Sequence, residues 1–271
     1  MAYASPIPQL GLGTFGRTGD TGVAALETAI AIGYRHIDTA QSYGSEGPVG
    51  EAIRRSGLPR DAFFVTTKVA DTNLARADFM PSVERSLETL GIGPVDLLLI
   101  HWPSKNDAVP FAHYIEALAD ARQRGHARLI GVSNFPIADL ERTRALLGPD
   151  AIATDQVEIH IYHQAPRLRD HARAHGLTLT AYQPLVKGQA EREPALAPIA
   201  ARHGVAPAAV ALAFLMAEGH AVIPASANAA HLRANFAATA VRLSPDEIDT
   251  IRGLDRGDRR INPEKSPAWD D

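Results

Sequence analysis

Short apolar runs recur along the chain, each followed by a stretch in which apolar residues return at helical spacing. "FFVTTKV" (63–69) and "VDLLLIHW" (95–102) are continuous apolar or β-branched runs. That is the pattern of parallel strands covered on both faces. The runs read as strands over 7–12, 35–38, 63–68, 95–101, 129–132, 152–157, 178–182 and 221–223. Between them the periodicity predicts helices over 22–31, 49–55, 80–90, 111–124, 137–147, 166–175 and 207–217. Gly33 and Gly125 stand where the first and fourth should end, as glycine often does. Near the C-terminus, "LSPDEIDTIRGL" predicts a further helix, with Ser244 as N-cap and Glu247 closing a capping box.

Eight strands alternating with helices within about 250 residues suggest a closed (β/α)8 TIM barrel; the competing layout is an open doubly wound sheet. No Gly/Ser/Pro-rich linker divides residues 1–271, so a single domain is expected. Gly11-Leu12-Gly13-Thr14-Phe15-Gly16 fits G-x-G-x-x-G, with Asp38 further on where a dinucleotide fold keeps its ribose-binding acid. In that motif the glycines open the helix directly, whereas here "RTGDTG" intervenes. The motif is better read as a tight exit from the first strand.

In a barrel, chemistry sits at the C-terminal ends of the strands. Asp38 ends the second strand, Lys68 the third and His101 the fourth. Ser133 and Asn134 follow the fifth, Gln156 lies in the sixth, Tyr182 ends the seventh, and Ser226 follows the eighth. Tyr43 stands on the loop after Asp38. A lysine beside a phenol stabilises the tyrosinate and lowers its pKa from about 10. An aspartate can neutralise and fix that lysine. The tyrosine then serves as a general acid for a developing alkoxide, and a neutral histidine can orient the carbonyl. Such a set lacks only a reductant to reduce a carbonyl by hydride. Phe15 and Trp102 flank the mouth as a candidate apolar wall for substrate.

Composition narrows the partners. A net charge of −4 argues against nucleic acid or an acidic membrane as a partner. No cysteine is present, which removes disulfides, thiolate metal sites and a cysteine nucleophile. The start "MAYASPIPQLG" has no signal-peptide pattern and no apolar run is long enough to span a bilayer, so a cytoplasmic protein is expected. Two histidine pairs, His160/His163 and His171/His175, have ligand-like spacing, but no acid or thiol accompanies either in sequence. No metal is expected. The bare presence of a buried lysine also leaves a Schiff-base aldolase on Lys68 open, although a paired Asp38 works against a neutral amine.

"HIDTAQSYG", "FFVTTKV", "VDLLLIHWP", "IGVSNF", "DQVEIH", "AYQPL" and "VIPASANAAHLRAN" resemble, in order, the successive motifs of the aldo-keto reductase family. The size and short tail are similar to the bacterial branch that includes 2,5-diketo-D-gluconate reductases. The resemblance implies an NAD(P)H-dependent reductase of a small aldehyde or ketone, including keto-sugar acids or dicarbonyls, and a monomer. It implies Tyr43 as general acid, assisted by Asp38 and Lys68, with His101 orienting the carbonyl. It places the nicotinamide carboxamide on Ser133, Asn134 and Gln156, and Tyr182 against the ring. Gly13, Thr14, Pro184, Leu185, Pro224, Ser226, Asn228, His231 and Asn235 complete the expected cofactor surface. Some barrels of the family are regulatory subunits that keep the cofactor, which leaves a non-catalytic binding role as an alternative.

The sequence departs from the family in three places. The N-terminus is short, and the full hairpin that often plugs the barrel bottom is not expected. Asp155 replaces an asparagine next to Gln156; because strand side chains alternate, it should face away from the site. The third departure is at the expected adenosine end. A lysine and an arginine that commonly grip the NADPH 2′-phosphate are here Ala225 and His231. Arg233 lies two residues on, about 200° around a helix, and should face elsewhere. Losing both fixed charges removes strong charge-assisted bonds to phosphate and points to acceptance of NADH. A protonated His231 can partly substitute below about pH 6.5.

Overall fold

The structure, a computed structural model, describes residues 7–270. Eight strands pair in parallel in chain order: β1 (Gly11–Gly13), β2 (His36–Asp38), β3 (Phe64–Val69), β4 (Val95–Ile100), β5 (Ala127–Ser133), β6 (Thr154–Glu158), β7 (Thr178–Tyr182) and β8 (Ala221–Val222). The last returns to the first, since Leu10 bridges Val222 in parallel and the Gly13 N–H donates to the Pro224 carbonyl at 3.0 Å. Gly13 is required there: a Cβ would stand 2.9 Å from the Ile223 carbonyl oxygen. The sheet is therefore a closed (β/α)8 barrel, and the open-sheet alternative falls.

The surrounding helices are α1 (Gly19–Ile32), α2 (Glu46–Arg55), α3 (Arg76–Leu90), α4 (Phe111–Gln123), α5 (Ile137–Leu147), α6 (Pro166–Ala174), α7 (Leu196–His203), α8 (Pro207–Ala217), α9 (Ala229–Ala237) and α10 (Pro245–Arg252). The Ser244–Glu247 capping box closes the start of α10 from both sides. Three expectations need correction. The first strand shrinks to Gly11–Gly13, because Pro8 has no N–H for a ladder. Helix α3 starts at Arg76, a turn before residue 80, and Pro81 lies inside it. Helix α7 was not foreseen, since Pro194 and Pro198 break the apparent periodicity around it. Residues 1–6, where a bottom hairpin would be judged, lie outside the described residues.

Strand parity sorts the side chains. In β3, Val65 and Val69 join the large core between barrel and helices, while Phe64 joins the small cluster inside the barrel with Leu97 and Leu99. Lys68 has the parity of Phe64, and His101 that of Leu97 and Leu99, so both face the barrel axis. In β6, Val157 packs outward and Asp155 shares its parity, whereas Gln156 turns inward. No single described helix is long and apolar enough to cross a membrane.

Candidate active site

The inward parity brings polar groups from far-apart strands to one rim. Lys68, fully buried, donates from Nζ to Asp38 Oδ1 and, at 2.8 Å, to the Thr39 carbonyl. The other Asp38 oxygen accepts from Gln156 Nε2 at 2.7 Å, across the barrel. This buried carboxylate is thus held by a cation and an amide together. Burial alone would pull Lys68 down, but the charge of Asp38 and then Tyr43 raise it above its ordinary value. A lysine held charged in this way is a poor Schiff-base nucleophile, which argues against the aldolase alternative.

Tyr43 stands over this pair, with the Lys68 nitrogen 5.1 Å from its ring centroid and its hydroxyl 3.3 Å from His101 Nε2. The expectation of a lowered Tyr43 pKa needs correction. Burial pushes the phenol up more strongly than Lys68 pulls it down, and it sits above 10. His101 is pushed down to about 3, by burial first and then by the charges of Lys68 and Lys265. It is therefore a neutral imidazole at any ordinary pH. Its Nδ1 meets the Ser42 hydroxyl at 3.4 Å, a contact that no local pattern announces.

Next to this cluster, Asn134 adopts a left-handed backbone (φ 64°) at the end of β5. Its amide donates to the His101 carbonyl at 2.9 Å, and its oxygen accepts from the Tyr182 hydroxyl at 2.8 Å. Ser133 donates to the Gln156 carbonyl at 2.7 Å. Ser133, Asn134, Gln156 and Tyr182 thus form one bonded group beside Asp38.

These residues open into a cavity of about 890 Å³, within the range of cofactor and ligand sites. One end is lined by Asp38, Tyr43, His101, Phe15 and Trp102. Phe15 is 70% exposed and meets Tyr43 edge-on, while Trp102 is buried and packs against Trp269. Gly13, Thr14, Ser133, Asn134, Gln156 and Tyr182 line the middle, with Pro184 and Leu185 on the loop after β7. Thr14 also ties the rim together, donating to the Asp38 carbonyl and meeting the Ser45 hydroxyl at 2.8 Å. Pro224, Ala225, Ser226, His231 and Asn235 line the far end.

Asn228 is not among the lining residues. Its side-chain oxygen accepts from the N–H groups of Ala230 and His231, at 2.8 and 3.2 Å, and so caps α9. Arg233 is exposed and also stays off the cavity. The sequence reading missed Gln183, Lys187, Gly188, Glu191 and Ile261, which also line it. Lys187 is the one lysine or arginine among the lining residues described. Ile261 comes from the C-terminal tail, whose placement no local pattern announces. A second cavity, of about 580 Å³, lies among Tyr34, Met216 and Phe236. Its arginines, Arg35 and Arg242, bond neighbouring backbone carbonyls.

Comparison with known proteins agrees with the geometry. The sequence model of the Aldo/keto reductase family matches residues 9–256. Methylglyoxal reductase DkgB of Salmonella typhimurium is 43% identical over 97% of this chain and 99% of its own length. 2,5-Diketo-D-gluconic acid reductase B of a Corynebacterium is 36% identical over 93% of this chain and 91% of its own. A crystal structure of a Bombyx mori aldo-keto reductase in complex with NADP superposes with a TM-score of 0.88. It is 29% identical, over 97% of this chain and 94% of that one.

Proposed function

The chain belongs to the aldo/keto reductase family and is an NAD(P)H-dependent carbonyl reductase; from that premise we propose that it reduces small dicarbonyls or keto-sugar acids at the Asp38, Tyr43, Lys68, His101 cluster. The observation that carries this reading is the convergence of those four side chains at the mouth of one long cavity. The cavity fits a nicotinamide cofactor: bonded amide and hydroxyl groups lie at its middle, and a loop and helix terminus at its far end.

The bound cofactor would supply a hydride to the substrate carbonyl carbon. The chain's own residues handle the oxygen. In the tautomer in which Ser42 donates to Nδ1 of His101, the ring proton is on Nε2 and can bond the carbonyl oxygen. A neutral imidazole leaves Tyr43 as the proton donor, and its raised pKa keeps it protonated. Lys68, charged through Asp38, lowers the cost of the tyrosinate left behind. Gln156, by holding the second oxygen of Asp38, fixes the carboxylate that fixes the lysine. Phe15 and Trp102 supply apolar walls.

The reading includes acceptance of NADH. Ala225 and His231 stand in the cavity without a fixed charge, and Arg233 does not replace them. Asn228 further satisfies two of the α9 N–H groups that would otherwise face an anion. NAD(P)H absorbance should fall with methylglyoxal or a diketogluconate. kcat/KM for NADH should lie within about a hundredfold of that for NADPH at pH 7, a gap of nearly 3 kcal/mol. A larger NADPH preference contradicts the NADH reading and leaves the reductase reading intact. Ala225→Lys with His231→Arg should raise NADPH affinity and leave kcat unchanged.

A further inference from the structure

The histidine pair on α6 acquires in three dimensions the partner it lacked in sequence. Glu141, on α5, brings Oε1 to 3.3 Å from His171 Nε2. The rings of His171 and His175 lie tilted against each other, centroids 4.4 Å apart. One donor atom from each of Glu141, His171 and His175 lies within 4.8 Å of the others, the one such three-residue group among the described residues. None of the three lines the catalytic cavity.

From this we propose that Glu141, His171 and His175 form a binding site for a zinc-class divalent cation. Three features support it. His175 Nδ1 lies 2.9 Å from the His171 carbonyl, so that nitrogen carries the proton and Nε2 keeps its lone pair for a metal. A carbonyl orienting one ring nitrogen while the other binds is the usual support of a ligating histidine. His171 Nε2 is buried yet makes no hydrogen bond, and the Glu141 carboxylate lies 3.3 Å from it. Tetrahedral zinc with nitrogen and oxygen donors places them roughly 3.3 Å apart, which the His171–Glu141 pair already meets. The half-exposed ring of His175 and the Glu141 side chain close the remaining distance by small rotations.

Two imidazoles and one carboxylate select zinc, copper(II) or nickel over magnesium or calcium. The local competitor is Arg144, whose Nε lies 3.4 Å from Glu141 Oε1. Its guanidinium is also anchored to the Pro149 carbonyl at 3.0 Å and can stay there when the metal takes the carboxylate. The cation would join α5 to α6, the helices that follow β5 and β6. Its effect is therefore on stability and not on the chemistry of the rim.

The test is titration of the tag-free protein with zinc chloride, followed by calorimetry and thermal melting. The expected result is one saturable site per chain and a melting temperature raised by roughly 2–5 °C at a hundredfold excess over Kd. His175→Gln and Glu141→Gln, both at accessible positions, should weaken binding at least about tenfold, since each removes one of three ligands. Their metal-free melting and kcat/KM should match the wild type. Cobalt(II) should give ligand-field bands of a nitrogen-bound ion that both variants lose. Failure to saturate, or wild-type binding by either variant, overturns the proposal without touching the reductase reading.

Discussion

At the scale of single residues, two opposite shifts define the site: burial raises Tyr43 and depresses His101. In the proposed mechanism Tyr43 must be protonated to act, so activity should be lost as pH rises through its pKa. Because that value lies above 10, the reduction rate should stay flat through neutrality and decline only at strongly alkaline pH. His101, ionising near 3, adds no acidic limb between pH 5 and 8. Tyr43→Phe should lower kcat by about 10²–10⁴ while leaving cofactor binding in place, checked by steady-state rates and fluorescence titration. Lys68→Met removes the downward pull on the phenol. It should lower kcat and move the alkaline decline upward, which a pH–rate profile would show. The strand-end positions of Asp38, Lys68 and His101 were readable from the apolar runs that precede them, whereas Tyr43, on a loop, was placed by the family resemblance. The Gln156–Asp38 bond was not, because its partners are 118 residues apart in sequence. Asn228 misled for a related reason: a side chain beside a ligand loop can serve the loop itself, here as a helix cap.

The elements hold the rim in place, and their closest contacts explain which positions tolerate change. Gly50 lets α2 lie against the end of α3, where a Cβ would come within 1.8 Å of the Leu90 carbonyl oxygen. Gly50→Ala should therefore destabilise by about 2 kcal/mol or more, read as a lower denaturation midpoint. At the far edge, Glu158 at the end of β6 accepts from His160 and from the N–H groups of Arg260 and Ile261, clasping the tail that puts Ile261 into the cavity. Burial raises the Glu158 pKa, but the His160 bond and the two N–H bonds outweigh it and hold the group below its ordinary value. A depressed carboxylate stabilises fully above its unfolded pKa, near 4.3, and the contribution fades as pH falls through the folded value. Glu158→Gln should thus cost about 1–3 kcal/mol at neutral pH, with the difference from wild type shrinking in acid. It should also raise KM for the carbonyl substrate more than it lowers kcat, since Ile261 lines the cavity and does not touch the proton donor. The barrel strands were legible because buried parallel strands write themselves as apolar runs. The tail was not, since "DRGDRRINPEKSPAW" has no periodicity and is placed by Glu158, Tyr162 and Gln164 from elsewhere.

For the molecule as a whole, one buried group links stability to pH away from the chemistry. Asp155 turns outward from β6, fully buried between barrel and helices. Oδ1 meets only the Phe135 N–H, at 3.4 Å, and Oδ2 has no hydrogen-bond partner. Burial, with Asp270 adding to it, raises this carboxyl well above its ordinary value; the Phe135 N–H and Arg259 oppose that too weakly. The folded protein therefore keeps Asp155 protonated at a pH where the unfolded chain has released the proton. A raised acid costs stability as pH climbs from the unfolded pKa, about 3.9, toward the folded one, by up to about 1.4 kcal/mol per pH unit. Above the folded value the penalty is constant. Asp155→Asn preserves the shape and the Phe135 bond and carries no proton to lose. Its nitrogen faces the field of Asp270 and Asp139, which favours a donor over a second acceptor. The variant should be close to wild type near pH 4 and increasingly more stable as pH rises toward the folded pKa of Asp155, then level, with kcat/KM unchanged because Gln156 points the other way. Denaturant midpoints for both proteins at several pH values decide it. A difference that stays level from pH 4 to 8 would mean that Asp155 ionises in the folded barrel as it does in the unfolded chain.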